Sequence, residues 1–273
     1  MQEFHRMVNG LDSGLKSSSA GELLTPDKAA SLAHDAVEIV MSRLDVEPAA
    51  FNALAGWLRE DEWQRADRFH FERDRQRFIV ARARLRQLLA ARLGIEPRAV
   101  ELAYAEHGKP VLAPGSASID WRFNVSHSRD VAVFAFCRGR DVGIDVEAIH
   151  QVTRADTVAA HFFSRNELAS YLALDRGSRE LGFFNCWTRK EAFIKALGDG
   201  LQYPLDNFDV SLSPGEPARI LRVADIDGNE CGWCLRSFSP MPGYVAAVVI
   251  ERSRTAANDA TFLKKPACTL WTP

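Results

Sequence analysis

Three short stretches of the chain combine residue types that can do chemistry. In Gly143-Ile-Asp-Val-Glu147 the two acids alternate with Ile144 and Val146. In an extended strand Asp145 and Glu147 then project from one face, roughly 7 Å apart, while their apolar neighbours face a core. Two carboxylates so placed bind a hard cation or form a solvated acidic edge. In Trp187-Thr-Arg-Lys-Glu-Ala-Phe-Ile-Lys195, a helix puts Glu191 and Lys195 at i and i+4. That spacing fits a surface ion pair. It also fits a carboxylate and an ammonium, with Lys190 beside them, around a metal-bound phosphoanhydride and its leaving group. Thr188 and Glu191 have the spacing of a capping box, but the apolar series Leu181, Phe184, Trp187 starts the helix earlier. The third stretch is Ser126-His127-Ser128. A His at the mouth of a strand is either a satisfied structural residue or, next to the turn Gly108-Lys109-Pro110, a ligand for a nucleotide phosphate.

The elements that must carry these residues can be read from hydrophobic periodicity. Val37 to Leu44 alternates as a half-buried strand, Pro48 stops it, and two helices follow, the first around Ala49 to Arg59. The second is longer: Phe78, Ala81, Leu85, Leu88, Leu89 and Leu93 recur at helical spacing before Gly94. From Arg65 to Arg92 there are nine Arg against Asp67, Glu72 and Asp74, which reads either as a solvated helix face or as a phosphate site, since Arg forks match phosphate oxygens. Val100 to Ala105 is a strand, and Phe123 to Ser128 leads into an apolar strand, Val131 to Cys137. The expected partner of that strand, after the turn Arg138 to Asp141, is Val142 to Val146. Helices are expected over Thr153 to His161, after the capping-box signature Ser164-Arg-Asn-Glu167, and over Ser178 to Leu197, which Gly198 and Gly200 stop. The last third reads as antiparallel strands near 208–212, 218–223, 232–238 and 244–250. The order of strands and helices occurs roughly twice, dividing near residue 140. The organisation expected is a flexible leader over 1–30, α+β halves over 31–140 and 141–252, and a loosely held tail over 253–273.

Composition bounds the function. The 273 residues carry 34 Lys+Arg against 36 Asp+Glu, a net charge of −2, which excludes a generally basic nucleic-acid coat. At 47% hydrophobic residues the chain can build a packed core. The start lacks a basic stretch followed by an apolar one, and the run Val245 to Ile250 is too short to span a bilayer, so a cytoplasmic protein is expected. Five cysteines do not suggest a disulfide framework. Cys231-x-x-Cys234 offers a redox dithiol or half a zinc site, but a strand there would point the two thiols to opposite faces.

Read in order, six motifs closely resemble the 4′-phosphopantetheinyl transferases of the large, surfactin-synthetase-activating type, over about residues 57 to 250. They are Arg68-Phe-His-Phe-Glu-Arg-Asp-Arg-Gln-Arg-Phe78, Gly108-Lys-Pro-Val-Leu112, Phe123-Asn-Val-Ser-His-Ser128, Val142-Gly-Ile-Asp-Val-Glu147, Phe162-Phe-Ser-Arg-Asn-Glu167 and Trp187 to Lys195. The resemblance implies an α+β fold of two similar halves related by a pseudo-twofold, with the active site in the cleft between them and both halves on one chain, hence a monomer. It implies Mg²⁺-dependent transfer of the phosphopantetheine arm of coenzyme A to a serine of an apo carrier protein of the acyl, peptidyl or aryl kind, with release of adenosine 3′,5′-bisphosphate. By the same resemblance Asp145, Glu147 and Glu191 hold the metal. Glu191 is the candidate general base and Lys195 neutralises phosphate charge. Ser126 and His127 contact coenzyme A, His127 at a phosphate, while Lys109 and Pro110 lie against its adenine end. Lys190 lies beside the phosphates. Arg65 and Arg77 are candidates for the 3′-phosphate and the pyrophosphate. Some relatives carry lysines where this chain has Glu60-Asp-Glu62. The competing expectations are a nucleic-acid binder using the Arg-rich helix, which leaves the acid clusters unexplained, and another metal-dependent phosphoanhydride-cleaving enzyme with water as acceptor.

Overall fold

Two strands are apolar on both faces, and this decides the layering. The computed structural model describes residues 36–117, 119–198, 203–224, 226–227, 231–252 and 268–270, so the leader expected at 1–30 lies outside the described residues. Strand β5 (Val131–Arg138) buries Ala132, Phe134 and Phe136 on one side and Val131, Val133, Ala135 and Cys137 on the other. Strand β11 (Tyr244–Glu251) does the same, with Val245, Ala247 and Val249 opposite Ala246, Val248 and Ile250. A strand with two apolar faces must sit between two layers.

β5 lies in a four-stranded sheet of order β12-β1-β5-β4, with β1 (Glu38–Arg43), β4 (Trp121–Ser128) and β12 (Cys268–Leu270). β11 lies in a three-stranded sheet of order β10-β11-β6, with β6 (Val142–Ala148) and β10 (Trp233–Phe238). The inner faces of the two sheets share one apolar cluster. Each outer face is covered by a 22-residue helix. Helix α3 (Glu72–Leu93) covers the first sheet, with α1 (Pro48–Ala55) and α2 (Glu60–Ala66) beside it. Helix α6 (Arg176–Leu197) covers the second, flanked by α4 (Ala155–Phe162) and α5 (Arg165–Ala173). The order of layers is helix, sheet, sheet, helix. A hairpin of β2 (Leu102–Tyr104) and β3 (Pro110–Leu112) and a meander of β7 (Phe208–Val210), β8 (Ile220–Val223) and β9 (Ile226–Asp227) complete the mixed α/β architecture.

Local chemistry sets the ends of these elements. Both long helices stop at a left-handed glycine, Gly94 at φ +68° and Gly198 at φ +84°, a conformation that costs a side chain its Cβ clearance. The Ser164–Glu167 capping box forms in full: Ser164 Oγ accepts from the Glu167 N–H, and Glu167 Oε2 accepts from the Ser164 N–H. Thr188 lies inside α6 and donates its hydroxyl to the Phe184 carbonyl. Cys231 and Cys234 pack against different apolar clusters, as alternation requires.

Four expectations are corrected. Val142 to Val146 does not pair with Val131 to Cys137, because β1 and β4 already occupy both edges of β5; β6 pairs with β11 instead. The helix expected over Ala49 to Arg59 ends at Ala55, and a separate helix, α2, starts where Glu62 Oε2 caps the Arg59 N–H. Residues 268–270 of the expected loose tail form a strand parallel to β1. Finally, the arginine face of α3 is not a solvated strip, since Arg82, Arg84, Arg86 and Arg92 are buried. Arg86 donates to Glu62 Oε2 at 2.7 Å and to the carbonyls of Pro97 and Val100, and Arg92 donates to Glu38 and the Leu88 carbonyl. Arg86 and Arg92 are thus met mainly from within the fold, while Arg82 Nη1, Arg84 Nε and Arg92 Nε are buried without a hydrogen-bond partner.

Candidate active site

The acidic strand owes its place to a glycine. A Cβ on Gly143 would stand 2.0 Å from the Ala192 carbonyl oxygen and 2.3 Å from the Ala196 nitrogen, so the backbone of α6 rests directly on β6 there. Glu191 and Lys195 flank that crossing, and it sets them over the strand face that carries Asp145 and Glu147. Ile144 and Val146 point the other way, into the cluster between the sheets. Lys195 Nζ donates to Asp145 Oδ1 at 2.5 Å and to Ser126 Oγ at 3.1 Å. Ser126 Oγ donates to the same Asp145 oxygen at 2.8 Å, and Ser128 Oγ donates to Glu147 Oε2 at 2.7 Å.

Three acids are thus withdrawn from water, with Asp145 3%, Glu147 8% and Glu191 2% exposed, and the Lys195 side chain beside them is partly buried. Burial, reinforced by the charge of Asp145, pushes the Glu147 carboxyl up to about 8. Burial pushes Glu191 up to about 7; Lys195 opposes that shift and Asp145 adds to it. Burial disfavours the Lys195 ammonium, but the charges of Asp145 and Glu191 outweigh it and hold its pKa above the usual lysine value. Asp145 Oδ2 and Glu191 Oε1 are buried without a hydrogen-bond partner. Unfilled oxygens on buried, clustered carboxylates are the donor set a hard divalent cation takes. Among the described residues no three His, Cys, Asp or Glu side chains enclose an ion by themselves. That is compatible with Mg²⁺, which usually takes one or two carboxylates and completes its shell with phosphate oxygens and water.

The other expected residues scatter. Ser126 joins the acids, whereas His127 is exposed and, by strand alternation, on the opposite face of β4. Lys190 does not reach the site. Its ammonium is buried on another side of α6, bonded to Glu167 Oε1 at 2.8 Å and to the Phe208 carbonyl at 2.7 Å, and a helix cannot turn residues 190 and 191 to one face. Arg77 is held by Asp45 through two bonds of 2.7 Å, which raises its pKa. Arg65 is exposed, with its guanidinium over the Phe78 and Tyr104 rings. Lys109 donates to the Val142 and Lys195 carbonyls, tying the β2–β3 hairpin to β6 and α6, and Pro110 opens β3. A groove of about 560 Å³ runs from Lys109 along Val111 and Arg122 to Val142 and Leu197; none of the three acids lines it. Two contributors escaped the sequence reading. Gly143 carried a signal, since a glycine inside an apolar strand marks close backbone approach. Ser128 shares the alternation of Ser126, which its neighbour His127 obscured.

Comparison with known proteins identifies the family. A family model described as "4'-phosphopantetheinyl transferase superfamily" matches residues 141–249, and one described as "4'-phosphopantetheinyl transferase, N-terminal" matches residues 45–138. The chain is similar to the 4'-phosphopantetheinyl transferase HetI of Nostoc sp., 34% identical over 81% of this chain and 90% of the relative. It is also similar to the 4'-phosphopantetheinyl transferase Sfp of Bacillus subtilis, 27% identical over 70% of this chain and 81% of the relative. Among solved structures, the ACPS-CoA complex of Chronobacterium ammoniagenes aligns over 43% of this chain and all of its own, with a TM-score of 0.32 and 18% identity. No described helix is long and apolar enough to cross a membrane.

Proposed function

The chain belongs to the 4′-phosphopantetheinyl transferase superfamily and transfers phosphopantetheine to a carrier protein, and we propose that Asp145, Glu147, Glu191 and Lys195 carry that reaction. The observation that carries this reading is the pair of unfilled buried oxygens, Asp145 Oδ2 and Glu191 Oε1, on two acids whose charges both act on the Lys195 ammonium. The donor is coenzyme A and the acceptor is a serine of an apo acyl, peptidyl or aryl carrier domain. The two family matches, at 45–138 and 141–249, support a division near residue 140; the reading adds α+β halves over 31–140 and 141–252 related by a pseudo-twofold, with the site at their junction on a single chain, hence a monomer. The absence of a membrane-crossing helix among the described residues is compatible with a cytoplasmic enzyme.

Asp145, Glu147 and Glu191 would hold Mg²⁺. Bound there, the ion supplies charge neutralisation on the pyrophosphate and on the phosphate that leaves. Glu191 is also the base that takes the proton of the carrier serine, directly or through a water, as a positioned carboxylate can. Lys195 stays protonated and offers Nζ to a phosphate oxygen. Burial of the three carboxylates limits the water that would compete with the serine. Arg65 and His127, both exposed, are left as the cationic and polar contacts to coenzyme A phosphate, with Lys109 and Pro110 toward its adenine end. Arg77 gives Nε and Nη2 to Asp45 and would meet a phosphate through its remaining N–H groups, and Lys190 drops out.

The test is mass spectrometry of a panel of apo fatty-acid, polyketide and peptide-synthetase carriers incubated with the protein, coenzyme A and Mg²⁺. One carrier gains a single phosphopantetheine. No gain on any carrier overturns the reading.

A further inference from the structure

Strand β6 lies at the edge of its sheet: β11 pairs one side and, among the described residues, no strand pairs the other. Its outer N–H groups are nonetheless bonded, and to side chains. Ile144 N–H donates to Asn124 Oδ1 at 2.8 Å, Val146 N–H to Ser126 Oγ at 3.4 Å, and Ala148 N–H to Ser128 Oγ at 3.1 Å. Residues i, i+2 and i+4 of β4 thus meet N–H groups i, i+2 and i+4 of β6, and a ladder of side chains replaces the missing backbone partner.

A hydroxyl has one donor and two acceptor sites. Having accepted from the backbone, Ser126 and Ser128 each retain an O–H, and each gives it to the acid beside the N–H it bonds, Asp145 at 2.8 Å and Glu147 at 2.7 Å. Asn124 has no acid to serve, because its counterpart is Gly143. The fixed N–H orients the hydroxyl oxygen, and the hydroxyl then orients the carboxylate.

We propose that Ser126 and Ser128 are positioning residues: the first sheet aims the Asp145 and Glu147 carboxylates, although every acid that would hold the metal belongs to the second sheet and its helix. This rests on reading Asp145, Glu147 and Glu191 as metal-holding acids. Loss of an outer hydrogen-bond partner to a ligating carboxylate typically weakens metal affinity by about 10–100-fold.

Ser128 offers the cleaner test, because it is only partly buried and Lys195 does not share its hydroxyl. Ser128→Thr and Ser128→Val have nearly the same shape and both suit a strand, but only threonine keeps the hydroxyl. Binding of Mn²⁺ to the full chain in the presence of coenzyme A is followed by the paramagnetic resonance of free Mn²⁺. Amide exchange at Ala148 is measured on the same samples. Ser128→Thr should bind Mn²⁺ within a few-fold of the unmodified chain, and Ser128→Val about 10-fold or more weaker, with faster exchange at Ala148. Equal Mn²⁺ affinity of the two variants overturns the positioning role. Failure of the unmodified chain to bind Mn²⁺ overturns the metal-site reading itself, and the proposal with it.

Discussion

Helices α3 and α6 are both 22 residues long, both end at a left-handed glycine and both cover one face of a sheet, yet their buried charges are used differently. On α3, Arg86 and Arg92 donate to Glu62, Glu38 and backbone carbonyls, although Arg92 Nε and Glu62 Oε1 stay unfilled. On α6, Arg189 and Lys190 do likewise, donating to Ser211, Glu167 and Phe208. Glu191 and Lys195, one helix face away, meet other charges instead, and a Glu191 oxygen stays unfilled. Burial of charge therefore does not by itself mark a site. On α3 the unfilled Glu62 oxygen lies among arginine donors, whereas beside α6 three buried acids share the one Lys195 ammonium, and that excess of negative charge is what a cation would meet.

Residues 190 and 191 give the sharpest way to break this contrast. Glu191→Gln should lower the transfer rate about 10²- to 10⁴-fold, the usual worth of a positioned base, while the melting temperature holds or rises; a mass-spectrometric time course and a thermal melt measure the two. Lys190→Met should remove about 3–5 kcal/mol of stability by stranding Glu167 in the core, with the folded fraction still turning over; a urea titration with parallel rate measurement checks it. The reverse pattern would exchange the roles of the two residues. Gly143→Ala comes next. Its methyl must push α6 away, which costs about 1–3 kcal/mol, as overpacking does, and slows transfer by more than the loss of folded protein explains.

The smallest effect is at the seam between the sheets. Asp130 accepts from Tyr244 Oη at 2.6 Å and pairs with Arg43. Burial raises its pKa, but the Tyr244 bond and the Arg43 charge outweigh it, and the net shift is downward. A carboxyl with a depressed folded pKa contributes stability above its unfolded pKa, and that contribution is lost as pH falls through the folded value. Asp130→Asn should therefore cost less than about 1 kcal/mol near neutrality, as partly exposed pairs do, and should flatten the acid limb of a stability–pH curve. An unchanged acid limb would remove Asp130 from the seam.

Much of this was legible in residue order. Alternation in Gly143 to Glu147 put Asp145 and Glu147 on one face opposite Ile144 and Val146, and the i, i+4 spacing put Glu191 and Lys195 together, because both are consequences of backbone geometry within one element. The Ser164–Glu167 cap, the glycine stop at Gly198 and the six ordered motifs were readable for the same reason. What tertiary structure decided is which groups fill each other's hydrogen-bonding capacity across long separations: Arg86 with Glu62, Lys190 with Glu167, Ser128 with Glu147. It also decided that β6 pairs with β11 rather than β5, since edge availability depends on where β1 and β4 have already docked. Periodicity says which way a side chain points from its own backbone. Whether the charge it carries is spent or free depends on what the rest of the chain brings to meet it.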